Sequence, residues 1–253
     1  VYVYNVTLPR SGHHMLVNCL AGYFSGGTIY NYNGIDSPKT ISAGLWQYCE
    51  SYRHCRCYPC ADKRTTWQKY HDTDGDFPIR DGYFYVVQYR HFIPIVLSLC
   101  EMWQVKDVIG SLHSWAAIWE RFVDKWVLCS YNNVIAIEYD DFLVRPEEYL
   151  RKIIHLYNAR IDEELLRRVI IQQNISPKRI ISKFRNYEDL YEEFIIAEQR
   201  FKDKLLRAKC PLLYNWYYYI EDQLPQLFAT MKSNPPSIFR NKYVSRSRAK
   251  SLQ

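Results

Sequence analysis

Hydrophobic and polar positions along this chain change period several times, and each change marks an element. Val1 to Val6 is a β-prone apolar run that reads as a strand, and Met15 to Phe24 shifts to the spacing of an amphipathic helix. A short β-capable run, Thr65 to Gln68, precedes an acidic turn, Asp72-Thr73-Asp74-Gly75-Asp76. Tyr83 to Tyr89 reads as a buried strand, and Arg90-His91-Phe92-Ile93-Pro94 opens a helix with proline in the first turn, where its missing N–H costs little. Trp115, Trp119, Phe122 and Trp126 fall on one face of a helix from about Ser111 to Leu128, and that stripe reads as core. Asn133 to Glu138 is another strand; helices are predicted over Pro146–Tyr157, Asp162–Gln173, Asn186–Arg207 and Trp216–Met231. Strands alternating with helices predict an α/β fold with a central, mainly parallel sheet flanked by helices.

Composition narrows the class. The chain has 253 residues, 48% of them hydrophobic and 24% charged, enough for one large domain and wrong for a disordered protein. The expected organisation is a single domain over residues 1–231, with a cysteine-rich insert at about 43–64 and a tail over 232–253. The tail carries Lys232, Arg240, Lys242, Arg246, Arg248 and Lys250 and no acid, which accounts for the whole net charge of +6. The body is therefore neutral, no broad basic groove is implied, and nucleic acid is not an expected partner. No apolar run reaches the length of about 18 residues that spans a bilayer, so no transmembrane segment is expected. The expected location is cytoplasmic, although a chain starting at Val1 leaves room for a removed signal or anchor.

Eight cysteines divide into two groups. Cys19, Cys100, Cys129 and Cys210 sit in apolar contexts and read as buried thiols, whereas Cys49, Cys55, Cys57 and Cys60 lie close together around His54. The second group is compatible with a structural zinc, with two local disulfides or with thiols, and its C-x5-C-x-C-x2-C spacing is not a standard zinc pattern.

The chemistry starts in the loop Pro9-Arg10-Ser11-Gly12-His13-His14, between the first strand and the first helix. Strand, tight loop and helix in that order build an anion site from backbone N–H groups and the positive end of a helix. The Gly-x-x-x-x-Gly-Lys-Ser/Thr spacing of a Walker A loop is missing. The hexapeptide resembles the Pro-Lys/Arg-Ser-Gly-Thr-Thr loop of sulfotransferases that use 3′-phosphoadenosine 5′-phosphosulfate (PAPS). Two further matches follow in order: Lys69-Tyr70-His71 resembles the family's Lys-x-His, and Arg90 with Ser98 has the spacing of its 3′-phosphate ligands. Tyr139-Asp140-Asp141-Phe142-Leu143 is similar to a family Tyr-Glu-Asp-Leu whose tyrosine lies near the adenine.

The resemblance covers roughly Val1 to Tyr157 and implies a P-loop-like phosphosulfate-binding fold. It implies transfer of a sulfuryl group from PAPS, leaving 3′-phosphoadenosine 5′-phosphate (PAP), to a hydroxyl or amine of a small-molecule or carbohydrate acceptor. Arg10 would neutralise the leaving phosphate, with Ser11, Gly12, His13 and His14 cradling it; Arg90 and Ser98 would hold the 3′-phosphate, and Tyr139 would lie near the base. His71 would be the general base, with His13 or His14 next in line. No metal is required. The chain departs from the family in having His13-His14 where Thr-Thr is usual, and in lacking its late Arg-Lys-Gly loop; Lys178-Arg179, Lys183 and Arg185 lie in that part of the chain. The acceptor pocket is expected between Ser25 and Ser42 and in the cysteine-rich insert. Competing readings are a kinase-like phosphotransferase with an unusual phosphate loop, and a non-catalytic PAP-binding protein.

Overall fold

A computed structural model describes residues 1–27, 40–43, 46–50, 57–175 and 188–212. The proposed late basic residues at 178–185, the predicted helix at 216–231, Cys55 and the tail at 232–253 lie outside these residues.

The fold is α/β. Strands β1 (Val3–Thr7), β2 (Thr40–Ala43), β3 (Trp46–Glu50), β4 (Trp67–Tyr70), β5 (Phe84–Tyr89) and β6 (Val134–Glu138) form one sheet. Their order is β2-β3-β4-β1-β5-β6, with β2 antiparallel to β3 and the other five strands parallel. Helices α1 (His13–Phe24), α2 (Phe92–Trp103), α3 (Val108–Trp126), α4 (Tyr139–Val144), α5 (Pro146–Leu156), α6 (Glu163–Gln172) and α7 (Glu188–Arg207) complete the described elements. None of these helices is long and apolar enough to cross a membrane.

Strand periodicity sorts side chains between two cores. Val3, Trp46, Tyr48, Trp67, Val86 and Ile137 face α1, α5 and α6, while Tyr4, Val6, Tyr85, Val87 and Tyr89 face α2, α3 and α7. The aromatic stripe of α3 is core as its spacing implied, with Trp119, Phe122 and Trp126 buried and Trp115 packed against them. Each such burial contributes about 1.5–3 kcal/mol. Helix α7 is tied to α3 where Lys204 meets Glu120 at 2.8 Å and Asp124 at 2.7 Å.

The topology also decides where a ligand fits. From β1 the chain passes into α1 on one face, and from the adjacent β5 it passes into α2 on the other. Neighbouring parallel strands whose following helices diverge open a crevice beyond their carboxyl ends, the usual ligand position in open α/β sheets. The loop at 8–12 and the turn at Arg90–His91 are the two walls of that crevice.

Two strands lay unrecognised in the sequence. Residues 40–43 and 46–50 pair with each other, and β3 adds in parallel to β4, so Cys49 belongs to the sheet rather than to an insert loop. Cys49 and Cys60 are both buried with sulfurs 3.4 Å apart, whereas Cys57 is exposed. Among the described residues no group of three or more His, Cys, Asp or Glu is placed to hold a metal ion.

Candidate active site

The loop after β1 is shaped by two residues in the left-handed region, Arg10 at φ 64° and Gly12 at φ 81°. Gly12 is required for two reasons: its φ favours glycine, and a Cβ there would lie 2.1 Å from the Tyr139 ring. Gly12 is also the N-cap of α1, and no side chain caps that helix, so its opening amides present the positive end of the helix to the crevice. Ser11 is fully buried, and its hydroxyl has no hydrogen-bond partner.

Arg10, Ser98, Arg90, Tyr139 and the loop are brought together. Arg10 Nε donates to Ser98 Oγ at 2.7 Å, joining the loop to α2. The Tyr139 ring rests on Gly12 and lies under the Arg90 guanidinium, whose carbon is 4.4 Å from the ring centroid. Arg90 Nη2 donates to Asp140 Oδ1 at 3.3 Å. Ser98, on α2, therefore faces Arg10 of the β1 loop. His91 faces away: its Nδ1 accepts from Ile93 N–H, capping α2, and its Nε2–H donates to Glu198 at 3.1 Å. Burial holds its pKa below the ordinary histidine value, against the pull of Glu198.

Among the described residues, eight buried side-chain polar atoms have no hydrogen-bond partner, and four of them are here: Ser11 Oγ, Arg90 Nε, Glu138 Oε1 and Asp140 Oδ2. Each such group costs about 1–3 kcal/mol unless something answers it. An anionic ligand between the loop and Arg90 would answer the two donors, Ser11 Oγ and Arg90 Nε, whereas the two carboxyl oxygens call for a hydrogen donor.

His13 has a different place from that expected. Asn5 donates its amide hydrogens to Val86 O at 2.9 Å and Gln88 Oε1 at 3.3 Å, leaving its own Oδ1 to accept from His13 Nδ1–H at 2.6 Å. His13 Nε2 then accepts from the Tyr48 hydroxyl at 3.0 Å. Burial first, then the nearby Lys69, His14 and His71, hold the His13 pKa well below the ordinary value, so the ring is neutral. With both ring nitrogens turned to Asn5 and Tyr48, His13 can serve an anion through its backbone N–H, and its imidazole is not available as a base. His14 lies half-buried beside it, ring centroids 5.6 Å apart. Asn5 is the residue the sequence reading passed over; an asparagine in the middle of an otherwise apolar strand was the available signal.

His71 follows β4 and is half-buried beside Thr7 at the end of β1. Its Nδ1 lies 2.9 Å from both the Thr7 carbonyl and the Thr7 hydroxyl. A carbonyl only accepts, so Nδ1 carries a proton and points it at Thr7. The acidic turn beyond opens with Asp72, whose carboxylate is engaged elsewhere. Asp72 is buried, accepting from Phe77 N–H at 2.9 Å, Lys125 Nζ at 2.8 Å and Trp126 Nε1 at 2.7 Å. Lys125 also donates to the carbonyls of Gly75 and Phe77, at 2.9 and 2.5 Å, so α3 holds the whole turn and, through the backbone, His71.

Glu138, at the end of β6, caps α4 by accepting from Asp141 N–H at 2.8 Å. Burial, reinforced by Asp140, pushes its pKa from 4.5 up to about 8. Between those two values the folded chain binds more protons than the unfolded one, so this group's stabilising contribution is lost as pH rises from about 4.5 through 8. Urea denaturation near pH 5 and pH 8.5 checks it. Wild type is expected to lose more stability on alkalinisation than Glu138→Gln, which cannot ionise; equal losses would mean that Glu138 titrates normally.

No protein-family model and no curated protein matches this chain. Among solved structures it is similar to the sulfotransferase domain of the Synechococcus PCC 7002 olefin synthase, at 14% identity and a TM-score of 0.41 over 66% of this chain and 76% of that one. It is similar to the sulfotransferase domain of the curacin biosynthetic pathway at 14% identity and a TM-score of 0.40, over 66% and 77%.

Proposed function

We propose that the chain is a PAPS-dependent sulfotransferase, acting on a hydroxyl or amine of a small-molecule or carbohydrate acceptor. The observation that carries this reading is the convergence of Arg10, Ser98, Arg90, Tyr139 and an uncapped α1 at one crevice, with Ser11 Oγ and Arg90 Nε buried and unanswered there. Anionic oxygens satisfy both donors.

In this reading the loop amides and Ser11 cradle the 5′-phosphosulfate, Arg10 neutralises its charge, and Arg90 binds the 3′-phosphate. The acceptor oxygen or nitrogen attacks sulfur in line; the bond between sulfur and the bridging phosphate oxygen breaks, and PAP leaves with the electron pair. The acceptor's proton passes to the His71 ring, which the Thr7 carbonyl holds through Nδ1. Catalysis comes from positioning and from placing positive groups where negative charge accumulates. Ser98 acts with Arg10, bridging the two ends of the donor.

Thermal melting tests the donor. PAP at about a hundred times its Kd is expected to stabilise the protein by about 2.7 kcal/mol, a rise of roughly 5–10 °C in Tm for a chain this size. Arg90→Ala is expected to abolish the rise, and adenosine 5′-monophosphate to produce much less. A shift with ATP and magnesium alone overturns the reading in favour of a kinase-like phosphotransferase. PAP binding without turnover on any acceptor favours a non-catalytic PAP-binding protein.

A further inference from the structure

The surroundings of Arg90 ask for more than a phosphate. Arg90 is 9% exposed and makes two contacts, its face on the Tyr139 ring and Nη2 on Asp140 Oδ1, while its Nε–H is buried without a partner. Asp140 Oδ2 and Glu138 Oε1 are buried and unpartnered in the same cluster. An inorganic anion on Arg90 would answer Nε–H, but it would sit beside the Asp140 carboxylate and leave Oδ2 unanswered. A ligand that suits both carries a negative group for Arg90 and, on a neighbouring atom, a hydrogen to give to Asp140.

A ribose phosphorylated at one of its two vicinal hydroxyls has that arrangement. We propose that Asp140 is a specificity-determining residue that accepts a hydrogen bond from the 2′-hydroxyl of a 3′-phosphorylated ribonucleotide while Arg90 holds its phosphate. The inference rests on the donor reading above and deepens it. Asp140 follows Tyr139 directly, so the first turn of α4 carries both the ring under Arg90 and the carboxylate at its edge. Asp140 is the carboxylate that pairs with Arg90, at 3.3 Å, while Glu138 is turned to the cap of α4. Leaving a buried acceptor without its donor is the feature that lets a site reject an analogue lacking one hydroxyl.

Calorimetric titration of wild type and Asp140→Ala with PAP and with 2′-deoxyadenosine 3′,5′-bisphosphate tests it. Wild type is expected to bind PAP about 10- to 100-fold more tightly than the deoxy ligand, the range for one hydrogen bond to a charged group. Asp140→Ala is expected to bind the two within about twofold. Equal affinities in wild type, or an undiminished preference in Asp140→Ala, overturn the inference and leave Asp140 as a counter-ion only. The wild-type comparison stands by itself if the variant does not fold. Failure of wild type to bind either ligand overturns the donor reading, and this inference with it.

Discussion

His71→Ala is expected to lower kcat for sulfuryl transfer by about 10²- to 10⁴-fold, the usual contribution of a positioned general base, while leaving the melting shift produced by PAP unchanged. The separation follows from the geometry. His71 hangs from the end of β4 and is pinned by Thr7, whereas the proposed donor contacts come from the β1 loop, Arg90, α2 and α4. The proton it takes is released from the acceptor only as the bond to sulfur forms, so the loss falls on kcat and not on donor binding. Single-turnover rates with saturating PAPS, beside PAP melting curves, measure both halves. A variant that keeps wild-type turnover removes His71 from the mechanism. His13 does not inherit the role, since its neutral ring is held on both sides by Asn5 and Tyr48.

Asp72→Ala is expected to destabilise the fold by about 3–5 kcal/mol, the range for breaking a buried ion pair by removing one partner, and to lower Tm by roughly 10 °C. Three donors lose an acceptor at once: Phe77 N–H, Lys125 Nζ and Trp126 Nε1. The Trp126 indole closes the α3 core stripe and is fully buried, so it has no water to turn to. Because the same turn fixes the residue before it, turnover is expected to fall as well, with PAP binding retained. Denaturant titration of the variant against wild type measures the first effect. A change under about 1 kcal/mol, the level of an ordinary exposed pair, would show that the turn is not held by this carboxylate.

Much of the fold was legible because its signals are local. An apolar run flanked by polar turns was enough for β1, β5 and β6, and four large aromatics at helical spacing were enough for α3. The starts of α5 and α6 were equally plain, at Pro146 and after the capping Asp162. Strands β2 and β3 were not legible: β2 is held by β3, and β3 by β4, whose pairing residues lie about twenty positions further along the chain. Helix α4 was missed for a related reason. It is six residues long, shorter than a periodicity can reveal, and its cap is a glutamate that had read as the last residue of a strand.

The candidate site divides along the same line. Sequence alone singled out the residues of the proposed site: the Arg10–Gly12 loop by its place between a strand and a helix, and Lys69-Tyr70-His71, Arg90, Ser98 and Tyr139 by their resemblance, in type and order, to sulfotransferase motifs. Only the tertiary structure decided what each side chain faces. It turned His13 to Asn5 and Tyr48, gave Ser98 to Arg10, pointed Asp72 at Lys125, and set Asp140 against Arg90. Most of these partners are separated by tens of residues, and strand order and helix direction bring them within 3.3 Å. A hydrogen bond depends on distance and angle, which follow from how the chain crosses the sheet and not from the residues on either side.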